Sequence, residues 1–583
     1  MINQQDTEKN TAEALVRLRH STAHVLAQAV RKLFPDVKLA IGPAIKDGFY
    51  YDFDRDERFT EDDLRRIEAE MQKIIEEKQP FKHYSVTKAE AQERFSKLAE
   101  TYKLEILEGL EEGQITFVEN GPFIDLCRGN HIETTGDVKA FKLLSIAGAY
   151  WRGNENNKML QRIYGTAFFT AKEQAVYLNR LEEAKKRDHR KIGKELDLFS
   201  FHDESPAMVF FHEKGFFLFN SLIEYLRKQL KTRGYQEVQA PTILSDDLWK
   251  KSGHYDNFHD AMYFTKAENR EYAVKPMNCP GHALIYKTSQ RSYRELPLRI
   301  AEFGKVHRYE RSGATHGLMR VRAFTQDDAH HFCTEDQLQD EIVQLIDFTD
   351  QVYKKFGFDH YEVAVSTKPP KAMGSDEIWD KATTALTEAL RLRNIAFTIN
   401  EGEGAFYGPK IEFVIYDSIG RAWQCGTIQV DFSMPERFDL EYVSSDSSRR
   451  RPVMIHRAIY GSLERFLGIL IEHFAGAFPL WLAPVQVRVL TIAEQHADAA
   501  GKIIERLQAE GFRVEPDFRS EKIGYKIREA EMQKIPFIFV LGDKEVESGQ
   551  VAVRKRGKQD LGTQTLENVV ALIKSELAET TGA

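Results

Sequence analysis

Cysteine is scarce in this chain of 583 residues. There are four, Cys127, Cys279, Cys333 and Cys425, too scattered to read as a disulfide framework. Such usage fits reduced thiols and a cytoplasmic setting. Long apolar runs are lacking too: no segment offers the roughly 20 apolar residues of a membrane span, so no membrane partner is expected. The opening residues, MINQQDTEKN, have neither the apolar core of a signal peptide nor the arginine bias of a transit peptide. An excess of basic charge is also missing. With 81 Lys and Arg against 89 Asp and Glu the net charge is −8, so nucleic acid would have to be met by a local patch, not by the whole surface. Fixed-period repeats and low-complexity tracts are absent, which excludes a solenoid.

What is present is a globular composition, 42% hydrophobic and 29% charged, long enough for three or four domains of roughly 100–200 residues. The densest chemistry lies in Phe303–Phe332, FGKVHRYERSGATHGLMRVRAFTQDDAHHF. Arg308, Arg311, Arg320 and Arg322 surround a Ser-Gly-Ala-Thr-His-Gly turn, and Gln326, Asp327, Asp328, His330 and His331 follow. Guanidinium groups on two segments joined by a polar loop suit a polyphosphate, which arginine grips bidentately. The bland alternative is a charged hairpin whose arginines pair with nearby carboxylates.

Along the chain, spacing predicts a helix over 11–34 with Leu15, Leu18, Leu26 and Leu33 on one face. His20 and His24 fall roughly 140–180° away from that face at about 100° per residue, over solvent or a cleft. Cys127 and His131, also four apart, supply a second such pair beside Asp125. The two pairs suit a zinc site, a hydrolytic pocket, or polar residues that never meet. A charged linker helix is expected over 170–196 and a helix from Gly215 to Arg233. YQEVQAPTIL reads as one strand, and Glu412–Asp417 with Ala422–Phe432 as an antiparallel hairpin. A long helix is expected from Val453 to His473. After Pro484 the order β-α-β-α-β-β-α forms a compact domain. Its Arg519–Lys558 stretch has ten Lys/Arg and six Asp/Glu, a local +4 that suggests nucleic-acid contact.

GYQEVQAP, FGKVHRYE and IYGSLERF stand in the order and form of the three class II aminoacyl-tRNA synthetase motifs. KPMNCPGH, RAFTQDDAH, AFYGPKIEF, QCGTIQVDF and VMIHRAIYGS narrow the resemblance to the bacterial-type threonyl-tRNA synthetases, over essentially everything after residue 11. The HIGH and KMSKS elements of class I and a Walker A loop are all absent.

The resemblance implies a multidomain α+β chain: a polar tail (1–11), an editing domain (12–169), a linker helix (170–196), a class II catalytic domain (197–480) and an anticodon-binding α/β domain (481–583). It implies one zinc ion per subunit on Cys279, His330 and His456, with an open position for threonine's amine and hydroxyl; His331 and Cys333 are read as non-ligands. Asp328 would take the hydroxyl and Tyr407 would sit beside the amine. Arg308 would bridge the threonine carboxylate and α-phosphate of ATP, which brings Mg²⁺. Glu310 would read adenine, Phe324 stack on it, Arg320 and Arg465 hold the terminal phosphate, and Lys410 touch the nucleotide. Gln326, Gln429 and His254 would lie near the tRNA ribose, His254 as a proton acceptor that titrates near neutrality. Serine lacks only a methyl group, worth roughly 1–3 kcal/mol in a pocket, so a second, hydrolytic site is expected. His20, His24, Cys127, His131, Asp125 and Lys103 match it, and it is expected to position a water without a metal.

The expected partners are tRNA(Thr), ATP, L-threonine and a second copy of the chain, packed through the motif around Pro241. Relatives often begin with a ubiquitin-like (TGS) domain. Only about ten residues precede the His helix here, so a form without that domain is expected. Glu545 and Arg554 match anticodon-reading positions, whereas Ser520 stands where relatives often have Asn. Two rival readings remain: a non-catalytic synthetase-like RNA-binding paralogue, and an aminoacyl-tRNA deacylase.

Overall fold

The structure is a computed structural model that describes residues 4–154 and 156–581. The chain divides into two compact units, Met1–Glu182 and Glu183–Ala583. Helices flank antiparallel and mixed sheets throughout, as an α+β chain requires. Among the described residues, no helix is long and apolar enough to cross a membrane.

The first unit is built on α1 (Gln4–Leu33). This helix starts before the expected Thr11, because QQDTEKN contains neither Pro nor Gly to stop it. Residues 1–3 of the expected polar tail lie outside the described residues. α1 packs Leu18, Val25, Leu26 and Ala29 against Phe49, Tyr51 and Phe53 of β1 (Gly48–Asp54). From Ser21 to Val30 it is buried on every side, and His20 and His24 line a pocket, the cleft rather than the solvent of the two settings that periodicity allows. α2 (Glu61–Glu76) covers the other flank behind a Thr60/Asp63 capping box. A three-stranded sheet follows, of β2 (Phe81–Ser85), β3 (Thr116–Asn120) and β4 (Phe123–Leu126), with α3 (Thr101–Glu108) between its first two strands in the chain. β5 (Ala140–Tyr150) and β6 (Met159–Phe168) then complete the sheet of β1.

The expected single linker helix is two, α4 (Ala171–Arg187) and α5 (His189–Glu195). Asp188 breaks them by accepting a hydrogen bond from Arg190 N as the new helix cap. No Pro or Gly marks the break. The cause is tertiary: Glu472 accepts from both the backbone and the ring of His189.

The second unit begins with α6 (Glu213–Thr232), followed by Gly234 at φ 73°. YQEVQAPTIL is not one strand. Pro241 lacks an N–H for a ladder, and the stretch supplies two short strands, Gln236–Glu237 and Ile243–Ser245, to different sheets. After α7 (Cys279–Lys287) comes an eight-stranded sheet. Its middle strands, β7 (Leu298–His307), β8 (Ala323–Cys333), β9 (Val453–Ala458), β10 (Ala422–Asp431) and β11 (Lys410–Tyr416), pair in that order, all antiparallel. α8 (Leu338–Lys355) and α9 (Leu463–His473) pack into its core.

The helix expected from Val453 to His473 is therefore wrong in its first part. VMIHRA is a strand buried at every residue, paired on both edges. Helical spacing and a short buried apolar run cannot be told apart by periodicity. Gly461, at φ 78°, and the carboxylate of Asp327, which accepts from Ile459 N and Gly461 N, make the corner into α9.

The C-terminal sheet orders β12 (Val514–Asp517), β13 (Val487–Thr491), β14 (Phe537–Leu541), β15 (Gln550–Lys555) and β16 (Gln559–Thr565), parallel across the first three and antiparallel across the rest. One more strand is present than expected. QDLGTQT is a polar edge strand with almost no alternation of hydrophobicity to reveal it.

Candidate active site

The antiparallel register lays the chemistry of the second unit in a row. Lys410 pairs with Gln429, Gln429 with His456, and His456 with His330. Directly opposed residues share a face, so these four side chains line one surface. On β8 the two-residue period puts Phe324, Gln326, Asp328 and His330 on that surface and sends His331 to the other. There His331 is saturated by Glu341 at 2.7 Å and Tyr235 at 2.8 Å.

A cleft of about 540 Å³ is lined by Arg308, Glu310, Arg320, Phe324, Gln326 and Arg465 among others. Arg308 lies with its guanidinium 5.1 Å from the Phe324 ring centre and donates to Pro276 O at 3.3 Å. Among the described residues it has no carboxylate ion-pair partner, and burial lowers its pKa. Arg465 likewise has none, and its Nε is buried without a partner. Two such cations facing one cleft disfavour the bland hairpin reading and favour an anionic ligand. Arg320 does pair, with Glu310 at 2.9 Å. Lys410 pairs with Glu412 at 2.5 Å and does not line this cleft.

At the far end of the row, one ligand atom each from Cys279, His330 and His456 lie within 4.8 Å of one another, all buried. Burial raises the Cys279 thiol well above its ordinary range, with Asp328 and Asp431 adding to the shift. Burial also holds His330 far below its usual range. One thiol and two imidazoles fit a borderline-soft divalent cation. Asn278 donates to Asp328 at 3.0 Å beside this group. Gly304 makes room for it, since a Cβ there would stand 2.3 Å from the Asn278 amide oxygen. The Tyr407 hydroxyl donates to Gln429 at 2.9 Å, and its ring lies 4.9 Å from that of His456. His254 sits 3.8 Å from Cys279 Sγ and bonds Ser252 at 2.7 Å. The expectation that it titrates near neutrality fails: burial, then His456 and Arg308, push it down to about 3.

The first unit gathers its own site. His20 Nε2 is 2.9 Å and His131 Nε2 3.3 Å from Cys127 Sγ, and His24 lies 3.6 Å from Asp125. Lys103 of α3 forms a buried ion pair with Asp125. A pocket of about 410 Å³ opens beside them, with apolar walls from Ile41, Ile106 and Leu110. Burial pushes the Cys127 thiol up to about 11 and the His131 imidazole down to about 2. The pocket thus presents neutral thiol and imidazoles beside one ion pair.

Three family descriptions match the chain. The tRNA synthetase class II core domain (G, H, P, S and T) covers residues 263–474, the anticodon binding domain 486–576, and the threonyl and alanyl tRNA synthetase second additional domain 115–164. The chain is 56% identical over 562 residues to a threonine–tRNA ligase of Carboxydothermus hydrogenoformans, spanning 96% of this chain and 88% of that one. It is 57% identical over 560 residues to one of Caldanaerobacter subterraneus, spanning 96% and 87%. A crystal structure of the RNA binding domain of threonyl-tRNA synthetase from Cryptosporidium parvum superposes with a TM-score of 0.64 at 41% identity, covering 67% of this chain and 98% of that one. The chain belongs to the threonine–tRNA ligase family.

Membership makes it an ATP-dependent class II aminoacyl-tRNA ligase with an editing domain. Some residues at the sites of this ligase are invisible to motif reading. Tyr51 receives a hydrogen bond from Lys103 at 3.0 Å and donates to Asp125 at 2.6 Å; the FYYDF run offered no signal beyond apolar alternation. His282, backed by Glu302, and Asp431 bond the far sides of the His330 and His456 rings. Only the Cys279-x-x-His282 spacing on α7 hinted at one of them. In the C-terminal domain Glu545 accepts from Gly542 N at 3.0 Å, Arg554 lies 3.8 Å from Asp560, and Ser520 is exposed. A further group, half-buried Asp188 with buried His189 and Glu472, is a structural pin. Both ring nitrogens of His189 are used, by Glu472 at 2.6 Å and by Leu318 N at 2.9 Å.

Proposed function

We propose that this chain activates L-threonine with ATP and transfers it to the 3′ end of tRNA(Thr), and that its first unit hydrolyses seryl-tRNA(Thr). The observation that carries the synthetic reading is the pair of arginines with no carboxylate ion-pair partner among the described residues, Arg308 and Arg465, lining one cleft on a sheet whose register also brings His330 and His456 together beside Cys279. Arg308 lies between the two halves of the site, where it can hold the amino-acid carboxylate against the α-phosphate and offset charge as the phosphoryl bond forms. Phe324 supplies a face for adenine. Glu310 accepts from its amino group once Arg320 turns to the terminal phosphate with Arg465, and Mg²⁺ accompanies the nucleotide. Lys410, on the same row as Gln429, sits at the margin of the nucleotide.

Cys279, His330 and His456 would hold zinc, one ion per subunit. A zinc ion held there would act as a Lewis acid toward the threonine amine and β-hydroxyl; valine, with the amine but no hydroxyl, would leave the second contact unmade. Asp328 accepts from that hydroxyl and Tyr407 closes the amine side. In the transfer step Gln326 and Gln429 orient the terminal ribose. His254, kept neutral, accepts a hydrogen bond there, and its low basicity makes it a positioning group more than a strong base.

In the first unit Cys127 is too weak an acid to attack as thiolate. Hydrolysis is better served by a water held among His20, His24, His131 and Cys127, with the Lys103–Asp125 pair recognising the charged amine and ribose. A cytoplasmic homodimer completes the reading, and the +4 surface of Arg519–Lys558, with Glu545 and Arg554, would meet the anticodon. Threonine-dependent ATP–pyrophosphate exchange tests the synthetic half: exchange with threonine, and none with valine, is expected. No exchange in zinc-replete protein would sink it in favour of a non-catalytic paralogue. Charging of tRNA that persists in His20→Ala/His24→Ala while seryl-tRNA hydrolysis is lost separates ligase from deacylase.

A further inference from the structure

Both histidines of the buried Cys279 group are hydrogen-bonded on their far sides. His330 Nδ1 lies 2.7 Å from His282 Nδ1, His282 Nε2 lies 3.1 Å from Glu302, and the Lys275 ammonium donates to Glu302 at 2.7 Å. All four side chains are buried. Ala240 N also donates to Glu302, at 3.2 Å. His456 Nε2 lies 2.9 Å from Asp431, whose other oxygen accepts from Ser433 N and Met434 N.

These partners dictate where the protons sit. Glu302 can only accept, so His282 carries a proton on Nε2, and the singly protonated ring offers a lone pair at Nδ1. His330 must then donate from its own Nδ1, because two lone pairs facing at 2.7 Å would repel. Its Nε2 is left bare. Asp431 likewise draws the proton of His456 to Nε2 and leaves Nδ1 bare.

We propose that Lys275, Glu302 and His282 form a relay of positioning residues that makes His330 present Nε2 to the metal, and that Asp431 makes His456 present Nδ1. This rests on the reading that Cys279, His330 and His456 hold zinc. His282 stands one turn from Cys279 on α7, so a single helix supplies both one ligand and the support of another. The relay raises the donor strength of His330 through a buried negative charge that Lys275 balances. Breaking it leaves the ligand in place but free to take the wrong tautomer or to turn.

The test uses the full chain, stripped of metal and titrated with zinc against a competing chelator. Glu302→Gln keeps the shape and removes the charge; His282→Asn removes the relay ring. Each is expected to weaken zinc binding about 10- to 100-fold and to raise the threonine KM more than tenfold while the ATP KM stays within twofold. Cobalt-loaded variants should show an altered absorption envelope. Wild-type zinc affinity in both variants, or threonine and ATP KM rising together, overturns the relay. Cys279→Ala run alongside keeps the two readings apart. If it loses stoichiometric zinc while Glu302→Gln binds as wild type, the relay alone is wrong; if it retains zinc, the metal assignment is wrong.

Discussion

Arg308 is the residue on which the synthetic site turns, because its cation is half-buried and faces the cleft without a carboxylate. Arg308→Gln keeps a donor but loses the charge and the fork. The exchange rate is expected to fall about 10²–10³-fold, the cost of one preorganised donor at developing charge, with little change in stability. A fall below tenfold in pyrophosphate exchange would mean that charge develops elsewhere. The imidazoles of the first unit make a second prediction. His131 is pushed down to about 2 by burial and then by His24 and His20, and His24 is itself held well below its ordinary range. Unfolded, each takes a proton near pH 6.5; folded, it does not. The unfolded state therefore binds more protons as pH falls, and stability is lost from about pH 6.5 downward, by about 2 kcal/mol per such imidazole at pH 5. Calorimetry between about pH 7.5 and pH 5 should show the unfolding temperature dropping, and dropping less in His131→Gln. Equal drops would show that His131 is not shielded.

At the scale of elements, the break at Asp188 matters more than the helices on either side. It turns His189 inward, where the ring accepts from Leu318 N in the loop that carries Arg320. His189→Ala leaves Leu318 N and Glu472 short of a partner, at a cost of about 1–3 kcal/mol for each buried group left unpaired. The ATP KM is expected to rise several-fold, while the threonine KM stays near wild type; steady-state exchange at varied ATP checks it. An unchanged ATP KM would show that the loop holds its place without the pin. The elements also show where reading by pattern works. β8 follows its two-residue period, so His330 and His331 separate onto opposite faces as the resemblance implies. β9 does not announce itself. VMIHRA is apolar enough for a buried helix or a central strand, and its pairing with β8 and β10, strands more than 20 residues away in sequence, is what selects the strand.

For the whole molecule, the surface charge and the copy number are the measurable quantities. The −8 chain with a local +4 segment should bind tRNA with a moderate salt dependence carried by that segment. Arg554→Ala is expected to raise the tRNA KM about tenfold, a loss of about 1–3 kcal/mol, with pyrophosphate exchange untouched. A loss of exchange would instead report a folding defect. Sedimentation should give a mass of twice 67.2 kDa, and a concentration-independent monomer would remove the homodimer from the proposal.

The sequence by itself determined the chemical inventory: which arginines, histidines and cysteines exist, in which motifs, and hence the family. Spacing is local information, and it singled out the arginines around Arg308 and the two-histidine pair of α1, while the role of Phe324 came only with the family resemblance. Only the tertiary structure decided which groups meet. Cys279, His330 and His456 come from a helix and two strands, and register between strands, not distance along the chain, sets their 4.8 Å cluster. Burial, which no window of sequence reports, neutralised His254 and Cys127. It also put His282, Glu302 and Asp431 behind His330 and His456, because a buried donor or acceptor must find its partner wherever packing brings one.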